Sequence, residues 1–265
     1  MKREAVVAGA FYDGNAEALK KHIKALSPAR TEKVKAMGVV VPHAGYIYSG
    51  RVAAEVFNSV EIPDTVIILG PNHTGLGTPI SVFPEGSWET PLGGVRIDAL
   101  LSGEILKNCK SASKDVMAHA REHSIEVQLP FLQTLNSGLR FAAIALGEYN
   151  LGHLRELASA ITDAVRGKDV LLVASSDLTH YEDSETAKKK DAMVLKSIEK
   201  LDPEQMVKDV QARDISMCGW MPVYTVLHAC KKLGAKEARI IRYMNSGDTS
   251  GDYSEVVGYG GAAIL

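Results

Sequence analysis

The chain has 265 residues, 46% of them apolar, with 30 basic and 32 acidic side chains and a net charge of -2. That apolar share supports a sizeable core in one large α/β domain, and with no basic block the composition argues against nucleic acid as a partner. No apolar run approaches the roughly 20 residues of a membrane span.

In chain order, MKREAVVAGAFYDG is too short in its apolar part for a signal peptide, so the expected compartment is the cytosol. Asp13-Gly14-Asn15 reads as a turn and N-cap before a helix over about 16–26. An apolar strand over 38–41 follows, then the HAGYIYSG loop and a helix over about 51–58. Val66–Leu69 is a buried strand that stops at Gly70-Pro71. Residues 75–94, rich in Gly, Pro and Thr around a short strand at 80–83, form a long turn-rich connection of the kind that often carries function. Trp88 in it either walls a pocket or plugs the loop against the core.

Helices are predicted over 97–108 and 122–135, the second bent or interrupted by Pro130. A strand over 141–146, a helix over 151–165 and a strand over 170–174 come next. A long helix over 185–201 gives way to one started by Asp202-Pro203. A helix over 219–233 and a strand over 238–244 follow, and a Gly-rich terminal hairpin or edge strand over 255–264 ends the series. The βαβα alternation, without repeats or low-complexity linkers, predicts a single domain over residues 1–265: an αβα sandwich with a mainly parallel central sheet.

Three strand ends carry histidines. His43 follows VVVP, His73 follows VIILGPN, and His180 closes VLLVASSDLTH. Ligands in open α/β sheets gather outside the carboxyl ends of the strands, so the three loops are expected to build one site. His22, His153 and His228 fall inside predicted helices and read as ordinary surface or core residues. His180 and Asp177 put an imidazole and a carboxylate on one loop, suited to acid/base work or to orienting a ligand, although Ser176 or Asp177 could equally cap the next helix.

Two neutral imidazoles need one anionic donor to hold a divalent metal, and the sequence offers Asp177, Glu122 or Cys218. Cys218 stands at a predicted helix N-terminus, which favours a thiolate. Cys109 and Cys230 read as small buried hydrophobes, and the three cysteines lack CxxC spacing, which argues against disulfides or a zinc knuckle. A metal-free Cys–His hydrolase is the rival use of the same residues, though no nucleophile elbow accompanies it.

The stretches AGAFYD (8–13), PHAGYIYSG (42–50), LGPNHTG (69–75), TPLG (90–93), HAREHSIEVQLPFLQ (119–133), SSDLTHY (175–181) and MCG (217–219) occur in this order. In them the chain resembles the Memo family, also called AmmeMemoRadiSam system protein B, along essentially its whole length. The resemblance implies a fold similar to class III extradiol dioxygenases, with a metal at the strand ends. It places the metal ligands on His43, His73 and Cys218 and an acid/base position on His180 beside Asp177, with His123 and Glu122 lining the cleft. Cysteine stands where the dioxygenases use glutamate, which favours Cu(I), Zn(II) or thiolate-bound iron and leaves the thiolate itself open to oxidation.

Two functions are therefore expected to compete. One is an iron- or copper-dependent oxidoreductase, with zinc as the redox-inert alternative. The other is a non-catalytic protein that binds a metal, a peptide or a small molecule in the same cleft. The family's alternative name further implies a pathway link to radical SAM and AMMECR-like proteins.

Overall fold

A computed structural model of the chain describes residues 1–28, 32–147 and 150–265. Its strands are β1 (Lys2–Arg3), β2 (Gly38–Val41), β3 (Thr65–Pro71), β4 (Ile80–Val82), β5 (Ser87–Thr90) and β6 (Gly93–Ile97). They continue with β7 (Ser113–Lys114), β8 (Arg140–Leu146), β9 (Leu171–Ser175), β10 (His180–Glu182), β11 (Ala238–Asn245) and β12 (Val256–Ile264). The helices are α1 (Ala16–Leu26), α2 (Tyr46–Ser59), α3 (Ala99–Asn108), α4 (Leu129–Leu135) and α5 (Leu151–Val165). After them come α6 (Ser184–Glu199), α7 (Pro203–Ala212), α8 (Trp220–Leu233) and the single turn α9 (Gly247–Ser250).

The sheet centre is parallel, in the order β8-β3-β9-β2, and β12 and β11 extend it antiparallel beyond β2. Successive side chains of a strand point to opposite faces, which sorts the core into two layers. Val40, Ile67, Leu69, Ile144 and Leu172 pack with residues of α3, α5, α6, α7 and α8. Val39, Val41, Val66, Ile68 and Val173 pack with α1, α2 and α4. Burial on both faces explains why these strands read as continuous apolar runs rather than alternating ones. The architecture is the αβα sandwich with a mainly parallel sheet that the sequence predicts. Trp88 is fully buried, so it plugs the core rather than walling a pocket.

Several boundaries differ from the sequence reading. α2 begins at Tyr46, inside the segment read as a loop, capped by Gly45. The connection over 75–94 also holds β5 and the start of β6, and residue 97 ends a strand rather than opening a helix. Residues 122–125 are not helical; a 3-10 turn (Glu126–Gln128) precedes α4, where Pro130 occupies a first-turn position instead of bending a longer helix. The Gly-rich β12 is no edge strand, because it pairs with β2, β10 and β11.

Among the described residues, no helix is long and apolar enough to cross a membrane.

Candidate metal centre

The carboxyl ends of β2, β3 and β9 lie side by side, and each runs directly into a polar residue that matters. β2 leads through Pro42 to His43, β3 through Asn72 to His73, and β9 ends at Ser175 before Ser176 and Asp177. Two glycines let further segments approach these ends. A Cβ on Gly70 would stand 2.4 Å from Ser124 Oγ, so only glycine admits the loop that carries Glu122 and His123. A Cβ on Gly219 would stand 2.4 Å from the Ser175 carbonyl oxygen, so glycine there brings Cys218 onto the end of β9.

His43, His73 and Cys218 offer one donor atom each, all within 4.8 Å of one another. Cys218 Sγ lies 3.2 Å from His43 Nε2. The hydrogen bonds around the rings fix which nitrogen is bare. Ser175 Oγ gives its single proton to the Ser124 carbonyl at 2.7 Å and accepts from Gln128 Nε2 at 2.9 Å. It can therefore only accept from His43 Nδ1, at 2.9 Å, which puts the proton on Nδ1 and a lone pair on Nε2. His73 Nδ1 donates to Glu122 Oε1 at 2.9 Å, since a carboxylate only accepts, and its Nε2 is likewise left bare. Such outer partners set the tautomer and aim of metal-binding histidines.

Charge agrees with this. Burial lowers His43 well below the usual imidazole range, with His123, His73 and His180 adding repulsion. Burial also lowers His123, against the opposing charge of Glu122. Burial alone would raise Glu122, but His73 and the Ser124 amide outweigh it and hold the carboxyl down at about 2. Cys218 departs from the sequence reading. Burial, reinforced by the Asp177 carboxylate, pushes its thiol well above the usual range. The helix terminus does not overcome that desolvation, so without a metal the sulfur is a thiol, 3.2 Å from His43 Nε2 and 3.7 Å from the Asp177 carbonyl oxygen. The donor set of two bare imidazole nitrogens and one sulfur, from one buried, one exposed and one half-buried residue, suits a transition-metal ion once that thiol proton leaves.

A second donor group, His73, Glu122 and His123, is equally compact. Its carboxylate is already committed. Oε2 accepts from the His73 amide at 2.6 Å, and Oε1 accepts from His73 Nδ1 and the amides of His123 and Ser124, each at 2.9 Å. Glu122 is thus a clamp on the His73 side of the centre. The His123 ring stacks on His73 (centroids 4.8 Å apart, 17° between planes) and meets the Phe11 ring at 4.7 Å, while Glu122 is fully buried beneath the two histidines it bonds.

His180 is half-buried and does not join the donor cluster, although its charge is felt at His43 and Asp177. Its amide and Nδ1 bond to Ser216 Oγ and the Ser216 carbonyl at 2.7 and 3.0 Å, which leaves Nε2 bare here too. Ser216 rather than Asp177 therefore orients this ring. Asp177 instead accepts from the His43 and Ala44 amides, the former at 2.7 Å, and burial raises its carboxyl to about 6. Ser175, Gln128, Ser124 and Ser216 were not singled out as site residues; all but Ser216 lie in the recurring sequence stretches, which was the available signal.

The Memo family profile, described as "Memo-like protein", matches residues 3–263. The MEMO1 family protein MK0963 of Methanopyrus kandleri is 42% identical over 100% of this chain and 99% of its own length. A MEMO1 family protein of Aquifex aeolicus is 42% identical over 99% of both chains. The crystal structure of the uncharacterized protein JW3007 from Escherichia coli K12 superposes with a TM-score of 0.54. It is 12% identical and covers 85% of this chain and 99% of that one, a likeness of fold alone.

Proposed function

The chain belongs to the Memo family, and on that premise we propose that it binds one redox-active transition metal, iron or copper, through His43, His73 and Cys218 and uses it in oxidoreductase chemistry. The observation that carries this reading is the pairing of three converging donors with two imidazoles whose Nδ1 protons are already engaged. Zinc would fit the same donors without redox chemistry. A bound iron or copper would supply electron transfer and Lewis acidity at the open face of the site.

The chain's own residues contribute the rest. Glu122 holds His73 in place, and the Ser175 network holds His43. Cys218 gives up its proton on becoming a ligand, so loading should release acid and weaken as pH falls. His180, with Nδ1 tied to a carbonyl and Nε2 bare, would accept or return a proton from a bound substrate. Asp177 acts on it only through charge while fixing the His43 main chain.

A second reading, a binding protein that holds its metal as cargo or takes a peptide or small molecule, draws on the exposed His73 and the Phe11–His123–His73 ring stack at the rim. The protein would act in the cytoplasm, in a pathway shared with radical SAM and AMMECR-like proteins.

The deciding experiment is metal analysis of anaerobically purified protein beside His43→Ala and Cys218→Ser. About one iron or copper per wild-type chain, lost in both variants, is the expected result. Wild type that takes up no transition metal even on reconstitution would end this reading. Steady turnover with dioxygen would separate the enzyme from the binding protein.

A further inference from the structure

A second buried polar cluster lies where the N-terminal segment crosses the loop that supplies Glu122 and His123. Arg3 is only 6% exposed, and its guanidinium carbon stands 4.0 Å above the Trp88 ring. Its three nitrogens reach two points of that loop and the 3-10 turn that follows it. Nε donates to the His119 carbonyl at 2.6 Å, Nη2 to the Glu122 carbonyl at 2.6 Å, and Nη1 to Glu126 Oε2 at 2.7 Å. Glu126 is fully buried and also accepts from the amides of Val6 and Val7 and from the Tyr12 hydroxyl at 2.7 Å.

Residues 115–125 contain neither helix nor strand, so no backbone ladder defines where Glu122 sits. A buried ion pair adds little stability over a well-packed apolar pair, because desolvating both charges offsets their attraction. What it does supply is geometry. A planar five-donor fork can meet three acceptors at fixed angles, whereas an ammonium of equal charge cannot.

We infer that Arg3 and Glu126 are positioning residues for the metal centre, setting through the Glu122 main chain the carboxylate that aims His73. The route is short: Arg3 grips the Glu122 carbonyl, and the Glu122 carboxylate grips the amide and Nδ1 of His73. This inference rests on reading His73 as a ligand, yet its first test needs no metal.

The test follows the ring Nδ1–H protons of histidine-labelled, metal-free protein in 1H–15N spectra. Wild type should show hydrogen-bonded Nδ1–H signals for both His73 and His180. Arg3→Lys, which keeps the charge and loses the fork, and Glu126→Gln should each lose or broaden the His73 signal. The His180 signal, bonded to Ser216 away from this cluster, should persist in both. Affinity for added iron, measured by chelator competition, should fall about 10–100-fold in the same variants.

If both variants fold cooperatively and keep the His73 signal, the inference is overturned, whatever their melting temperatures. If neither folds, the cluster is a requirement of folding and the positioning role is likewise refused. A wild type that binds no iron but whose His73 signal depends on Arg3 would sink the metal reading and leave the positioning role standing.

Discussion

His43 and His73 follow strands that flank β9 on either side, but their rings are held by opposite means. His43 is 2% exposed, with its amide on Asp177 and its ring on the neutral Ser175–Gln128–Ser124 network. His73 is solvent-facing, with amide and ring both on the Glu122 carboxylate. Bonds to an ionised acceptor are roughly twice as strong as neutral ones. The exposed ring, packed on one face by His123, is thus restrained by charge, while the ring sealed in the core needs only neutral bonds. Both arrangements deliver the same result, a protonated Nδ1 and a bare Nε2.

The widest gap between the two halves should appear in stability. His43→Ala should cost about 3 kcal/mol in urea unfolding of the metal-free protein, since it opens a cavity and strands the Ser175 network. His73→Ala should cost less, about 1–2 kcal/mol, because its ring is exposed and the main loss is one partner of the buried Glu122 carboxylate, and both variants should lose metal retention. Equal losses would erase the distinction drawn here.

Acid should act on the loop that supports the His73 side. His119 lies buried in that loop, and burial, with Arg3 adding repulsion, lowers its imidazole to about 4. Its neutral form is favoured in the folded state, so the stability it contributes is complete above about pH 6.5. That contribution should drain away as the pH falls towards 4, by up to about 3 kcal/mol. In urea titrations across this range, His119→Gln should flatten the slope; an unchanged slope would remove His119 from the account.

Substitutions of the outer partners sharpen the comparison further. Glu122→Gln replaces a charged acceptor with a neutral amide, and metal affinity should fall about 10–100-fold in chelator competition. Ser175→Ala, which removes only a neutral bond from a packed ring, should fall at the low end, about 10-fold. The reverse ranking would mean that packing, not charge, holds the exposed ring.

Much of the site was legible before the structure. His43 and His73 can be picked out because strand ends leave a strong local mark: an apolar run, a Pro or Gly break, then a polar residue. Cys218 precedes a helix instead, and only the family resemblance sets it above Asp177 and Glu122 as the third donor. Glu122 was legible as a cleft residue but not as a clamp, because its role depends on four donors brought from residues 73, 123 and 124. What raises the thiol of Cys218 in the metal-free chain is hidden for a related reason. A helix terminus is written in the local sequence, while burial and the approach of Asp177 are not. Asp177 itself was placed beside His180 by proximity on the chain, yet its carboxylate bonds to the β2 end instead.

The amino-acid sequence by itself determined the order of the central strands and the main helices, the burial of the parallel strands, and His43 and His73 beyond the ends of β2 and β3. Each of these follows from periodicity and turn residues within a dozen positions. The short strands β1, β5, β6, β7 and β10, the last opened by His180, it left unread. Tertiary structure alone decided the tautomers, the thiol's protonation, the division of labour between Asp177 and Ser216, and the hold of Arg3 on the Glu122 loop. Those properties arise from hydrogen bonds and desolvation between groups up to 175 residues apart, where no local pattern records which donor meets which acceptor.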